Sequence, residues 1–221
     1  MSHARVVSYV YFAGIPFGVL KPDDSAVCEI EDGLRTAERS GDDFALLNAR
    51  VTLGVALAHR QTDAERDRGQ NLLAEVGEAF VRGRHHLGDL PSLNMYVARE
   101  RARPGDRDAA IPLTRAAVAH QFREGWLLAH GVLATGVLVE TLLDRGAEGD
   151  VAEAQAAIER LKTAPADEGL ALRDIWLLRL RALLARAHGD ASAYTHLRDR
   201  YRDMAKTLGF EGHIEWAEAM P

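Results

Sequence analysis

His85 and His86 stand side by side, with Asp89 three residues on. Imidazoles and a carboxylate are zinc ligands, so this is the most metal-like cluster of the chain. Adjacent histidines rarely aim at one ion from a helix, and residues 84–88 read as a loop, so a solvated polar loop is expected there. His120 and Glu124 are four residues apart, one turn of a helix. A surface pair near a helix C-terminus is expected, because a protonated imidazole suits the negative end of the helix dipole. Cys28 lies in Ala26-Val27-Cys28-Glu29-Ile30, which supplies no base to activate a thiolate. It is expected as a small buried hydrophobe rather than a nucleophile.

A second group of residues suits binding better than catalysis. Trp126 and His130 lie one helical turn apart, as do Arg173 and Trp176. Arrays of helical hairpins present the first helix of each hairpin to a concave groove. Tyr96, Arg99, Trp126, His130, Arg173 and Trp176 are the expected lining, since aromatics and arginines anchor binding surfaces. The competing expectation is that the tryptophans fill the core between repeats. Motifs for common catalysis are missing. None of the three lysines follows a glycine, which excludes a phosphate-binding P-loop, and no Gly-x-Gly-x-x-Gly, Gly-x-Ser-x-Gly, Cys-x-x-Cys or His-Glu-x-x-His occurs. No catalytic residue, metal or cofactor is therefore expected, and a metal hydrolase built on the histidines is the remaining enzymatic alternative.

The elements that must position these residues read as helices almost throughout. Apolar periodicity predicts helices over 23–39, 42–59, 63–83, 90–103, 106–123, 126–145, 150–163, 170–188, 190–209 and 211–219. Four Gly-Asp dipeptides separate them: Gly41-Asp42, Gly105-Asp106, Gly149-Asp150 and Gly189-Asp190. Glycine takes the left-handed turn that ends one helix, and aspartate caps the free amides of the next. Asp63, Asp106, Asp150 and Asp190 recur at intervals of 43, 44 and 40 residues. Each interval holds two helices and two turns, the period of stacked hairpins. Gly105-Asp106 and Gly149-Asp150, each with an alanine four residues after the aspartate, also fit the Gly-Asp-x-x-x-Ala turn of tetratricopeptide (TPR) units. Arg101 stands where that pattern takes an aromatic, so the expectation is TPR-like rather than TPR. Pro112 predicts a kink in helix 106–123, or a start nearer Ile111.

Composition agrees with an all-α chain. Alanine (36) and leucine (28) outnumber valine (15) and isoleucine (6) threefold, which favours helix over sheet. The apolar fraction of 47% supplies a core, while a net charge of −6 argues against a nucleic-acid binder, which usually shows a basic footprint. One cysteine cannot form an intramolecular disulfide. Residues 6–20 are the one long apolar run; broken by Gly14 and Pro16, they are too short to span a membrane. The segment is expected to pack on the first helices, and the chain to be cytoplasmic. The expected organisation is one domain over 1–221: an apolar segment at 1–22, four hairpins over 42–209 and a capping helix at 210–221.

Four segments carry a family likeness: 98–112 (ARERARPGDRDAAIP), 135–146 (TGVLVETLLDRG), 174–179 (DIWLLR) and 209–221 (GFEGHIEWAEAMP). They resemble the C-terminal helical region of actinobacterial, especially mycobacterial, adenylate/guanylate cyclase-type regulators. In that family a class III cyclase domain precedes a P-loop signalling ATPase and a TPR-like array, and some relatives end in a LuxR-type DNA-binding domain. The resemblance spans most of 10–221, and no catalytic residue of the family has a counterpart in it. It implies a non-catalytic interaction or regulatory module whose protein partner is a cyclase or signalling ATPase. Either a stand-alone paralogue or one piece of a split gene fits this. An exposed N-terminal segment would make a homodimer, and neither nucleic acid nor membrane is an expected partner. The alternative is a sensor holding a small-molecule effector inside the superhelix.

Overall fold

The computed structural model describes residues 3–83, 90–103, 105–125, 130–165 and 169–220. These residues form eleven helices and no strand. In order they are α1 (His3–Gly14), α2 (Asp24–Ser40), α3 (Asp43–Ala58), α4 (Asp63–Gly83), α5 (Leu90–Ala102), α6 (Arg107–Arg123), α7 (Val132–Arg145), α8 (Asp150–Thr163), α9 (Ala171–Ala187), α10 (Ala191–Leu208) and α11 (Glu211–Glu218). All ten helices read from periodicity have a counterpart, helix 126–145 as α7 from Val132 with 126–129 outside the described residues, and α1 is the addition. No described helix is long and apolar enough to cross a membrane.

The Gly-Asp punctuation works in two ways. Gly41, Gly105, Gly149 and Gly189 all have positive φ, the conformation that only glycine adopts without strain. Asp42 and Asp190 cap as expected, accepting from Ala45 N at 3.1 Å and Ala193 N at 2.9 Å. Asp106 makes no side-chain cap bond. Asp150 lies inside the helix as its first residue, where it accepts from Ala147 N at 2.9 Å and from Arg145 at 2.6 and 2.9 Å. Helix α6 begins at Arg107 and runs through Pro112. A proline at its sixth position removes only the bond that would have reached the Asp108 carbonyl, so the helix need not start later.

The chain divides into two compact units. The first comprises residues 1–96 with 210–212. Helix α3 is its hub, packed on α1, α2 and α4 and buried continuously from Val51 to Ala58. Ile30, Leu53 and Leu57 form the core with Val7 and Ile15 of the N-terminal segment. Glycines let α3 and α4 approach closely: a Cβ on Gly69 would sit 2.7 Å from Gly54 O. Arg60 ties the end of α3 to the start of α2, donating to Pro22 O and Glu65 at 2.8 Å each and pairing with Asp24. The outer face of α1 leaves Val6, Tyr9 and Val10 about half exposed.

The second unit comprises residues 97–209 with 213–221. Here α7 packs on α6, α8 and α9, and α9 packs on α8 and α10. Helix α8 shows the logic of the packing: Ala154, Ile158 and Leu161, at spacings of four and three, are its buried stripe. Tyr201 and Ala205 do the same for α10. One spacing recurs within both units. Arg5–Asp42, Arg60–Asp24 and Arg68–Glu31 join residues 36 or 37 apart, and Arg145–Asp108, Arg115–Glu153 and Arg179–Glu140 join residues 37 to 39 apart. Four of these pairs join a helix to the next but one, and two, Arg60–Asp24 and Arg145–Asp108, join the open ends of adjacent helices.

Candidate functional site

The expected groove residues fall in different surroundings. Tyr96 belongs to the first unit and is 5% exposed, its ring edge-on to His59 at 6.0 Å. Trp126 lies outside the described residues, as do His85, His86 and Asp89. His130 is half-buried at the widened turn that leads into α7. Arg173 reaches Ala164 O at 3.4 Å and Asp174 at 3.5 Å. Its charge thus sits at the C-terminus of α8, where the helix dipole favours a cation. Trp176 is 5% exposed, packed edge-on against His213 at 5.5 Å and Trp216 at 5.6 Å. Its Nε1 has no hydrogen-bond partner among the described residues. Of the described ones among the six, Arg99 lines a cavity formed by described residues.

Cys28 is exposed rather than buried, which corrects the expectation for it. Helix α2 buries Ala26, Ile30, Gly33 and Ala37, and a residue two positions from both Ala26 and Ile30 falls on the far side of that stripe. His120 Nδ1 lies 3.2 Å from Arg123. No group of three His, Cys, Asp or Glu among the described residues is placed to hold a metal ion.

Two cavities among the described residues of the second unit lie along α5, α7 and α9. One, of about 280 Å³, is lined by Arg99 and Arg103 of α5, Arg107 at the start of α6, and Val137, Glu140 and Asp144 of α7. The other, of about 420 Å³, is lined by Glu140, Leu143 and Asp144 of α7 and by Arg179, Leu183 and Arg186 of α9. They share Glu140 and Asp144, so together they form one groove with α7 as its floor. Helical spacing explains who lines it. Glu140 and Asp144 are four apart, Arg99 and Arg103 are four apart, and Arg179, Leu183 and Arg186 follow at four and three.

Charge is arranged in order across this groove. Arg99, Arg103 and Arg107 stand at one end, Glu140 and Asp144 in the middle, and Arg179 and Arg186 at the other. Arg103 pairs with Glu100 at 3.1 Å. Arg179 donates from Nε at 3.0 Å and Nη2 at 2.7 Å to Glu140 Oε1, and its guanidinium lies 5.3 Å from the centre of the Trp216 ring. Burial works against the Arg179 charge, but Glu140 and Tyr201 outweigh it and hold its pKa above the ordinary guanidinium value. Behind it, Tyr201 shares a 2.8 Å hydrogen bond with His213, and burial pushes its phenol up to about 12. Arg186 is exposed and makes no ion pair among the described residues. The groove thus has one arginine held by Glu140 and backed by an aromatic cluster, with further charges at its rim. It carries no apposed nucleophile and base; what it offers is charge complementarity over a partly apolar floor.

Sequence reasoning found Arg99 and missed Arg103, Arg107, Glu140, Asp144, Arg179 and Arg186. The signal was present as four- and three-residue spacing of charges on α5, α7 and α9, but it competed with similar charge on every exposed helix face. No family model matches this chain, and neither a curated protein nor a solved structure shows significant similarity to it.

Proposed function

We propose that the protein is a non-catalytic TPR-like helical-hairpin module that docks a segment of a protein partner in the α5–α7–α9 groove. The groove itself carries this reading. Helices α5, α7 and α9 alternate along the chain with α6, α8 and α10, and the groove runs along the alternate set, as a concave docking face in stacked hairpins does. Ion pairs that join a helix to the next but one at separations of 37–39 residues support a stacked-hairpin arrangement. The resemblance to cyclase-type regulators suggests a cyclase or signalling ATPase as the source of the docked segment.

Panning a displayed library of random twelve-residue peptides on the full chain tests the docking function. Selected peptides are expected to bind the wild type and to lose at least tenfold in affinity to a Leu183→Glu variant whose melting temperature is unchanged. Leu183 is a partly exposed lining residue on α9, so this substitution puts charge in the groove without emptying the core. Peptides indifferent to Leu183, or no selected peptide at all, would overturn the docking reading.

A further inference from the structure

Resting on that reading, we infer that the groove takes an acidic peptide segment whose charges run negative, positive, negative, the inverse of its own order. The first observation is the imbalance of the lining. Five guanidiniums face two carboxylates, in a chain whose net charge is −6. An electropositive groove on an acidic molecule attracts and orients anionic chains, and repels cationic ones.

The second observation is that the positive ends are incompletely served. Arg107 Nε is shielded from solvent and has no hydrogen-bond partner among the described residues. The half-buried Arg107 also lines the cavity, so the accessible part of its guanidinium can take a ligand carboxylate. Arg186, at the other end, is exposed and without an ion pair among the described residues. In the middle the polarity reverses: Glu140 is held by Arg179, while Asp144 is exposed and makes no ion pair among the described residues. A uniformly acidic ligand would be repelled there, so a cation belongs at the centre of the occupant.

Shape selects a peptide over a small anion. The two lobes, about 280 and 420 Å³, meet along α7 in one extended trough. With helices spaced at roughly 10 Å, the two positive ends are about 15–20 Å apart, the length of roughly five or six extended residues. The described lining contains no aromatic ring on which a nucleobase could stack, whereas Val137, Leu143 and Leu183 offer apolar contacts to side chains between the charges. Arginines at both ends suit carboxylates, which they engage through paired N–H donors.

The test is fluorescence anisotropy on the full chain with the labelled peptide EEAKAEE, its inverse KKAEAKK, and EEAEAEE. The account expects EEAKAEE to bind, KKAEAKK not to bind, and EEAEAEE to bind at least tenfold more weakly than EEAKAEE. Arg186→Glu is expected to weaken EEAKAEE at least tenfold. Asp144→Lys is expected to reverse the preference, so that EEAEAEE binds better than EEAKAEE. Both sites are exposed, and an unchanged helical circular-dichroism melt checks that the variants fold. Equal binding of EEAKAEE and KKAEAKK, or no reversal in Asp144→Lys, overturns the inference. So does ATP binding that depends on Arg186 while no peptide binds, which would make the groove a small-anion site. If EEAKAEE fails but library-selected peptides of other composition still depend on Leu183, the docking function stands and only the acidic ligand falls. If both fail, so do both readings.

Discussion

Asp150 is 2% exposed and still charged, because three donors converge on it: two from Arg145 and one from Ala147 N. Arg145 also spans to Asp108 at 2.7 Å, so one guanidinium joins the ends of α6, α7 and α8. The Arg145 hydrogen bond, above all, holds the Asp150 carboxyl below the usual carboxylate range against the opposing effect of burial. A lowered folded-state pKa means that this stabilisation is present above the unfolded value, near 3.8, and is lost as pH falls through the folded one. Asp150→Asn is expected to cost about 2 kcal/mol at neutral pH and to flatten the fall in stability below about pH 5. Urea melts across that range check both. Tyr201 acts at the opposite extreme. Its phenol is raised from 10.0 to about 12 by burial, so its contribution is intact below 10 and lost as pH rises through 12. Tyr201→Phe is expected to remove that alkaline limb and to cost about 1 kcal/mol at pH 7 through its hydrogen bond to His213. Urea melts from neutral pH into the alkaline range would show both.

At the scale of the element, two helical glycines make opposite predictions. Gly136 of α7 faces Trp176: a Cβ there would lie 2.4 Å from the indole Cζ3 and 3.0 Å from Cε3. Gly136→Ala should therefore lower stability by about 2 kcal/mol despite alanine's better helix propensity. Gly77 of α4 has nothing within 4 Å of its virtual Cβ, so Gly77→Ala should raise stability by about 0.5–1 kcal/mol. Thermal melts of the two variants should move in opposite directions. Much of this level was legible in the sequence. Helix 150–163 was placed to the residue, and most other boundaries fell within one or two, because glycines with positive φ mark the turns. What was not legible was the use of each marker. Gly149-Asp150 resembles Gly41-Asp42 in text, but only Asp42 caps a helix; Asp150 turns to Arg145, a partner that depends on where α7 ends. Pro112 likewise sits inside a helix that begins before it, at Arg107.

The whole molecule separates what local pattern can specify from what only assembly creates. The all-α class follows from composition and periodicity alone. The groove does not, because Arg99, Glu140 and Arg186 become neighbours of one trough only when α5, α7 and α9 share a side of the second unit. Aromatic residues misled for the same reason. Tyr96 is expected in the groove and Trp176 either there or in the core, yet each is 5% exposed, and Trp176 packs edge-on against Trp216, the ring that Arg179 covers. A basic groove on an acidic chain also has a consequence for solution conditions. Binding of EEAKAEE should weaken severalfold from about 50 mM to about 500 mM salt, as screening shortens the reach of the guanidinium charges. An apolar contact would hold or tighten, and anisotropy at the two salt concentrations distinguishes them.

Hydrogen–deuterium exchange of the full chain, with and without a library-selected peptide, tests the docking claim most directly. The account predicts slower exchange in α7 and α9, with α1 and α10 unchanged. Protection confined to the exposed Val6, Tyr9 and Val10 face of α1, or no protection in α7 and α9, would contradict it.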